Sequence, residues 1–217
     1  MELISNRELH KPSIYLISPT NIDNKVFPSL LESVLSTGLI RVFQLRVKKY
    51  SERETIQIIE KLFPICVNYK ALFILNDRAD IAKITGVDGV HLGEEDISIK
   101  KARNILGNNK IIGSSCYNSI SLSIKSSFLG ADYNAFGSFF KTKTKNNTKS
   151  ISLANLKKFK KFSNKPTVGI GGLNMYNIKK IAFLKLDFLA FCSSVWYNRK
   201  TPLEEVKKIK KIIDYSL

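Results

Sequence analysis

The chain has 217 residues, 44% hydrophobic and 24% charged, a globular composition that excludes a disordered polymer and is enough for one large core. Its formal net charge is +17, which suits either a polyanion partner or a lysine-rich solvated surface around a site for small phosphorylated ligands. Three widely spaced cysteines, Cys66, Cys116 and Cys192, exclude a disulfide framework, and no apolar run nears the ~20 residues of a membrane helix, so a reduced, cytoplasmic setting without a membrane is expected.

Ser13 to Ile17 reads as a first strand, closed by the turn Ser18-Pro19-Thr20. Phe27 to Ser36 has helical spacing and stops at Thr37-Gly38. Arg41 to Leu45 is the second strand and leads into Arg46-Val47-Lys48. Ser51, with Glu54 three residues on, caps a helix expected to run to about Phe63. Ala71 to Leu75 is the third strand, Ala79 to Thr85 a short helix ending at Gly86, and Gly89 to Leu92 the fourth strand.

Ile97 to Leu106 is the next helix, followed by a strand over Lys110 to Ser114 and a helix over Ile120 to Leu129. Tyr133 to Phe136 is the sixth strand, and Lys141 to Ser150 a long basic loop. Leu153 to Phe162 is helical, Pro166 to Ile170 is the seventh strand, and Asn174 to Phe183 a further helix. Phe188 to Phe191 is the eighth strand and Pro202 to Ile213 a closing amphipathic helix.

Eight apolar strands alternating with helices call for parallel βαβ units whose strands are buried on both faces. That pattern predicts an α/β fold, a (β/α)₈ TIM barrel forming one domain over residues 1–217 with its core at about 13–213. An open doubly wound sheet is the runner-up. The barrel is preferred because polar residues cluster after almost every strand, as a barrel rim requires.

In such a barrel the site lies at the carboxyl ends of the strands. Gln44, Arg46 and Lys48 alternate with Leu45 and Val47 after strand two, which puts the three polar side chains on one face toward the barrel mouth. An anionic ligand would satisfy cations placed there. Asn76 and Asp77 follow strand three, and Asp96 follows strand four. Each aspartate could be a helix N-cap or a ligand to Mg²⁺, and the two roles are not exclusive. His91 lies on strand four and reads as a packed structural residue; Asp80 reads as a helix-surface residue.

Ser114, Ser115 and Cys116 follow strand five. A serine there suits an ester or diphosphate oxygen, whereas no Ser/His/Asp spacing supports a nucleophile and nothing local activates Cys116. Thr142, Thr144 and Lys145 follow strand six and suit phosphate oxygens, or form an ordinary solvated loop. Gly171-Gly172 follows strand seven and lets backbone N–H groups approach an anion; Cys192-Ser193 follows strand eight. The rim thus offers one cationic, metal-compatible locus and one built on backbone. Two phosphorylated substrates meeting there imply a condensation, with the diphosphate leaving on the metal side.

These residues resemble the thiamine-phosphate synthase family. The resemblance runs from about Ile14 to Val195 and rests on six motifs in order: Gln44-Leu45-Arg46-x-Lys48, Asn76-Asp77-x-Ala79-Asp80, Gly89-Val90-His91-Leu92-Gly93, Gly113-x-Ser115, Thr142-x-Thr144-Lys145 and Ile170-Gly171-Gly172. It implies a transferase barrel that joins a pyrimidine methyl diphosphate to a thiazole phosphate, carboxylated or not, and releases pyrophosphate. It further implies that Gln44, Arg46, Lys48, Asn76, Ser115 and Lys145 hold the pyrimidine diphosphate. Asp77 and Asp96 would bind Mg²⁺, and Thr142, Thr144, Gly171, Gly172, Cys192 and Ser193 would hold the thiazole phosphate.

The chain departs from the family pattern at Val47, Glu94, Cys116-Tyr117 and Cys192. None of these removes an implied metal or diphosphate residue. A related thiazole tautomerase would need neither the two aspartates nor the Arg46/Lys48 pair together. The lysines of Leu156 to Lys161, Lys179-Lys180 and Lys207 to Lys211 lie in helix-like segments without stacking aromatics, so no nucleic-acid partner is expected.

Overall fold

The computed structural model describes residues 11–141, 165–197 and 201–216. Eight strands pair in chain order and close on themselves: β1 Ser13–Ile17, β2 Ile40–Leu45, β3 Leu72–Asn76, β4 Gly89–Leu92, β5 Ile111–Tyr117, β6 Tyr133–Phe136, β7 Thr167–Gly169 and β8 Phe188–Phe191. Every pairing is parallel, including β1 with β8. The fold is the expected (β/α)₈ barrel.

Strand alternation divides the apolar residues into two cores. Tyr15, Ile17, Val42, Ile74, Tyr133, Ala135, Val168 and Ala190 fill the barrel interior. Their strand neighbours, among them Leu16, Phe43, Phe73, Leu75, Val90, Ile112, Phe136 and Phe191, point outward and pack under the helices. Period two forces this split, because successive side chains of a strand face opposite ways.

Helices α1 Phe27–Leu35, α2 Glu52–Asn68, α3 Ala79–Thr85, α4 Ile99–Leu106 and α5 Ile120–Phe128 follow β1 to β5. Ser51 caps α2 through a reciprocal bond with Glu54, as the spacing predicts. The helix does not stop at Phe63 but continues through Pro64 to Asn68, because the extra turn buries Cys66 beside Ile59 and Leu62, and that burial outweighs the proline penalty. Ser98, not Asp96, caps α4. The helix expected from Asn174 is a 3₁₀ segment, Ile178–Leu184. Asn177 Oδ1 accepts from Asn174 N and its Nδ2 donates to Gly172 O, so side-chain bonds claim the first turn. A short helix Ser193–Trp196 and the closing helix Pro202–Ser216 complete the described elements. The expected helix over Leu153 to Phe162 lies outside the described residues. No helix among the described residues is long and apolar enough to cross a membrane.

At the amino ends of the strands one device is used three times. Asp88, just before β4, accepts a hydrogen bond from Phe73 N of β3 at 2.7 Å. Asp132, just before β6, accepts from Ile112 N of β5 at 2.8 Å. Asp187, just before β8, accepts from Thr167 N and Oγ1 of β7 at 2.8 and 2.6 Å. Arg103 then ties Asp132 to the carbonyls of Gly107, Lys110 and Gly130. Each aspartate clamps an odd strand to the even strand that follows it, and satisfies a backbone donor at the barrel floor.

Candidate active site

At the opposite end, the carboxyl ends of the strands surround an open cleft of about 140 Å³. Arg46, Ser115, Gly171, Gly172, Cys192 and Ser193 line it, six of the residues expected at the site. Arg46 is held in place by its N–H bond to Ser18 Oγ at 2.9 Å. Cys192 Sγ lies 3.3 Å from Ser18 O, and burial pushes its thiol up to about 11, against a smaller opposing pull from Arg46. The glycines are obligatory here. Gly171 and Gly172 have φ of 100° and 65°, and a Cβ on Gly171 would lie 2.1 Å from Ser138 Oγ. Ser194 Oγ, beside this wall, is buried without a hydrogen-bond partner among the described residues.

The second locus is carboxylate. β3 ends at Asn76, and Asp77 takes φ of 68°, a conformation costly for a non-glycine residue and found at sites the surroundings over-determine. Its N–H is anchored to His91 O at 2.8 Å. The Asp77 carboxylate meets Lys48 Nζ at 3.4 Å and lies against Asp96. Burial, and then the neighbouring Asp96, hold its pKa above the usual carboxylate value; Lys48 opposes them. Asp96 Oδ2 accepts from Gly93 N at 2.6 Å. Asp77 is not a helix cap, since α3 has no side-chain cap.

Two hard-oxygen donors pressed together suit a divalent cation. Mg²⁺ takes one or two carboxylates and completes its shell with water and substrate phosphate. No group of three or more acidic, histidine or cysteine ligands occurs among the described residues, so the pair fits Mg²⁺ held this way rather than a fully protein-ligated metal.

Other expected residues fall elsewhere. Gln44 is buried and bonds Tyr15 Oη within the barrel. His91 is buried and bonds Ser115 Oγ at 2.9 Å, which links the residue expected to be structural directly to the cleft. Cys116 faces outward under the helices, its thiol pushed up to about 12 by burial. Asp80 is an exposed partner of Arg78. Thr142, Thr144 and Lys145 lie outside the described residues.

Ser138 and Tyr117 also line the cleft and have no site role from sequence, Tyr117 standing only as a departure from the family pattern. Their signal was position alone: Ser138 follows strand six, and Tyr117 ends a β5 longer than expected, past a bulge between Ser115 and Tyr117. Burial raises the Tyr117 pKa; a backbone hydrogen bond from Glu94 opposes this, and the charges of Glu94, Glu95 and Asp96 add to it.

A closed parallel barrel whose polar side chains, strained backbone and cleft gather at the carboxyl rim defines a (β/α)₈-barrel enzyme. The family model described as thiamine monophosphate synthase matches residues 14–195. The chain is 43% identical to a thiamine-phosphate synthase of Pelagibacter ubique (strain HTCC1062), over 95% of this chain and 100% of that protein. It is 34% identical to one of Rhodospirillum centenum (strain ATCC 51521 / SW), over 92% and 97%. Among solved structures, a thiamine phosphate pyrophosphorylase from Pyrococcus furiosus superposes with a TM-score of 0.82 at 29% identity, covering 96% of this chain and 98% of that one. The chain belongs to the thiamine monophosphate synthase family. Its activity is that of a thiamine-phosphate synthase, a transferase.

Proposed function

We propose that the two loci divide the two substrates of the thiamine-phosphate synthase reaction. Asp77 and Asp96 would hold Mg²⁺, and the pyrimidine methyl diphosphate would bind beside them against Arg46, Lys48, Asn76, Ser115 and Lys145. Gln44 would act at the floor of that pocket. The thiazole phosphate would occupy the glycine-lined wall, with Gly171, Gly172, Cys192 and Ser193 supplying backbone and small-side-chain contacts and Thr142 and Thr144 closing over it. Such a protein acts in the cytoplasm on small phosphorylated molecules. The observation that carries this reading is the Asp77–Asp96–Lys48 constellation, set across the rim from the left-handed Gly171-Gly172 turn.

The reaction breaks the bond between the pyrimidine methylene carbon and the diphosphate oxygen, and the electron pair leaves with pyrophosphate. The thiazole nitrogen donates its lone pair to that carbon, forming the new C–N bond of thiamine phosphate. Mg²⁺ supplies charge neutralisation for the leaving group when bound. The chain's own residues do the rest. Lys48 and Arg46 place positive charge beside the diphosphate, and the cleft wall fixes the thiazole within reach of the carbon. Such catalysis needs position and field rather than a proton shuttle.

An assay with both phosphorylated substrates and Mg²⁺, reading thiamine phosphate, tests the proposal. Product should form and should stop when a chelator removes the cation. Folded protein that makes no product, or that is indifferent to the chelator, would overturn it.

A further inference from the structure

Below the cleft, five side chains from five strands form one chain of hydrogen bonds through the barrel interior. Gln44 Nε2 of β2 donates to Tyr15 Oη of β1 at 2.9 Å. Tyr15 Oη and Tyr133 Oη of β6 are 2.8 Å apart. Tyr133 Oη lies 2.9 Å from Nδ1 of His91 on β4. The other ring nitrogen, Nε2, lies 2.9 Å from Ser115 Oγ of β5, and Ser115 lines the cleft. Tyr15, Gln44, His91 and Tyr133 are all buried, and the His91 and Tyr133 rings stack at 5.6 Å.

The protons order themselves along this chain. Burial raises the pKa of both phenols, so each keeps its single proton. Tyr15 receives a hydrogen from Gln44, so its own goes to Tyr133. Tyr133 then gives its own to His91 Nδ1. An imidazole that accepts at Nδ1 carries its hydrogen on Nε2, and this donates to Ser115 Oγ. The serine's own hydrogen is left to point into the cleft. The order follows from Gln44 presenting its amide N–H to Tyr15; an amide turned to present Oε1 would accept the Tyr15 hydrogen and run the chain the other way.

Gly113 belongs to the same device. A Cβ there would lie 2.0 Å from Tyr133 Cζ, so the glycine two residues before Ser115 is what admits the phenol to the barrel interior.

We propose that Tyr133 and His91 are positioning residues that hold Ser115 as a hydrogen-bond donor toward an acceptor atom of the pyrimidine diphosphate. This rests on Ser115 contacting that substrate, as argued above. Neither ring touches the reacting atoms; both act through the serine.

The test is a double-mutant cycle on kinetics with the pyrimidine methyl diphosphate, with melting temperature recorded beside it. Ser115→Ala should lower kcat/KM for the pyrimidine diphosphate about tenfold, the size of one lost hydrogen bond to a charged or polar ligand. Tyr133→Phe should lower it by roughly threefold to tenfold and leave KM for the thiazole phosphate unchanged. The double variant should match Ser115→Ala alone, because both changes remove one interaction. Tyr15→Phe, one link further back, should fall between Tyr133→Phe and the unmutated protein. His91→Gln, whose amide both accepts and donates, should retain more kcat/KM than His91→Leu. If Tyr133→Phe does not fold, Tyr15→Phe and His91→Gln carry the same cycle with Ser115→Ala.

A silent Tyr133→Phe, or an effect that multiplies with that of Ser115→Ala, overturns the proposal while leaving Ser115 as a substrate contact. A silent Ser115→Ala overturns the underlying contact and the positioning role with it.

Discussion

The two ends of the barrel use aspartate in opposite ways. At the amino ends, Asp88, Asp132 and Asp187 each receive backbone N–H bonds from the strand before. At the carboxyl ends, Asp77 sits on a left-handed backbone and is pressed against Asp96. The first arrangement satisfies a carboxylate with fixed dipoles, so it contributes to folding. The second brings like charges together, which opposes folding, and Lys48 offsets only part of that opposition. On the function proposed above, the same residue type serves stability at one end and the reaction at the other, and local partners decide which.

The largest expected effect tests the functional end. Asp77→Ala should lower turnover by two to three orders of magnitude, roughly 3–4 kcal/mol of lost transition-state stabilisation. The melting temperature of the metal-free protein should not fall. Activity like that of the unmutated chain would remove Asp77 from the site. A next, smaller effect tests the structural end. Asp132→Ala should lower unfolding stability by about 2–3 kcal/mol, because it orphans Ile112 N and takes the carboxylate partner from the largely buried Arg103 guanidinium, which keeps its three carbonyl bonds. The denaturant midpoint reports this, and kcat of the folded fraction should be unchanged. A comparable loss of kcat would mean that the two ends are not separable.

The smallest effect sharpens the contrast. The Asp77 pKa is raised by folding, so the folded state prefers the protonated acid. Stability is lost as pH rises through the unfolded carboxylate range toward the folded pKa, and the deficit persists above it. Asp77→Asn removes that deficit and better tolerates positive φ. Metal-free Asp77→Asn should therefore melt higher than the unmutated protein at pH 7. Most of that gap should close below the usual carboxylate range, leaving the part due to backbone preference. A pH-independent gap would assign the whole effect to the backbone.

The fold was legible because its signal is local. Apolar runs of four to six residues, separated by helical spacing, place β1, β4, β6 and β8 at their observed bounds. The rim positions of Arg46, Asp77 and Ser115 were legible because each stands within two residues of the end of such a run, and that of Asp96 because it falls in the loop after β4. The interior chain was not, since Tyr15 and Tyr133 stand 118 positions apart and read as ordinary strand aromatics. The place of His91 in that chain was hidden for the same reason: its ring partners Ser115 and Tyr133 come from β5 and β6. Pro64 and Asn177 misplaced helix bounds because burial and side-chain bonding, absent from a propensity reading, decided them.

The aspartate clamps have a further consequence for how the molecule opens. Each clamp spans β3–β4, β5–β6 or β7–β8, and among the described residues no such aspartate bond crosses the other seams. Amide exchange should therefore proceed in two-strand blocks. Phe73, Ile112 and Thr167 should exchange together with their even-numbered neighbours, and the seams should yield first. A barrel that looks continuous around its circumference would then breathe as three clamped pairs beside an unclamped β1 and β2.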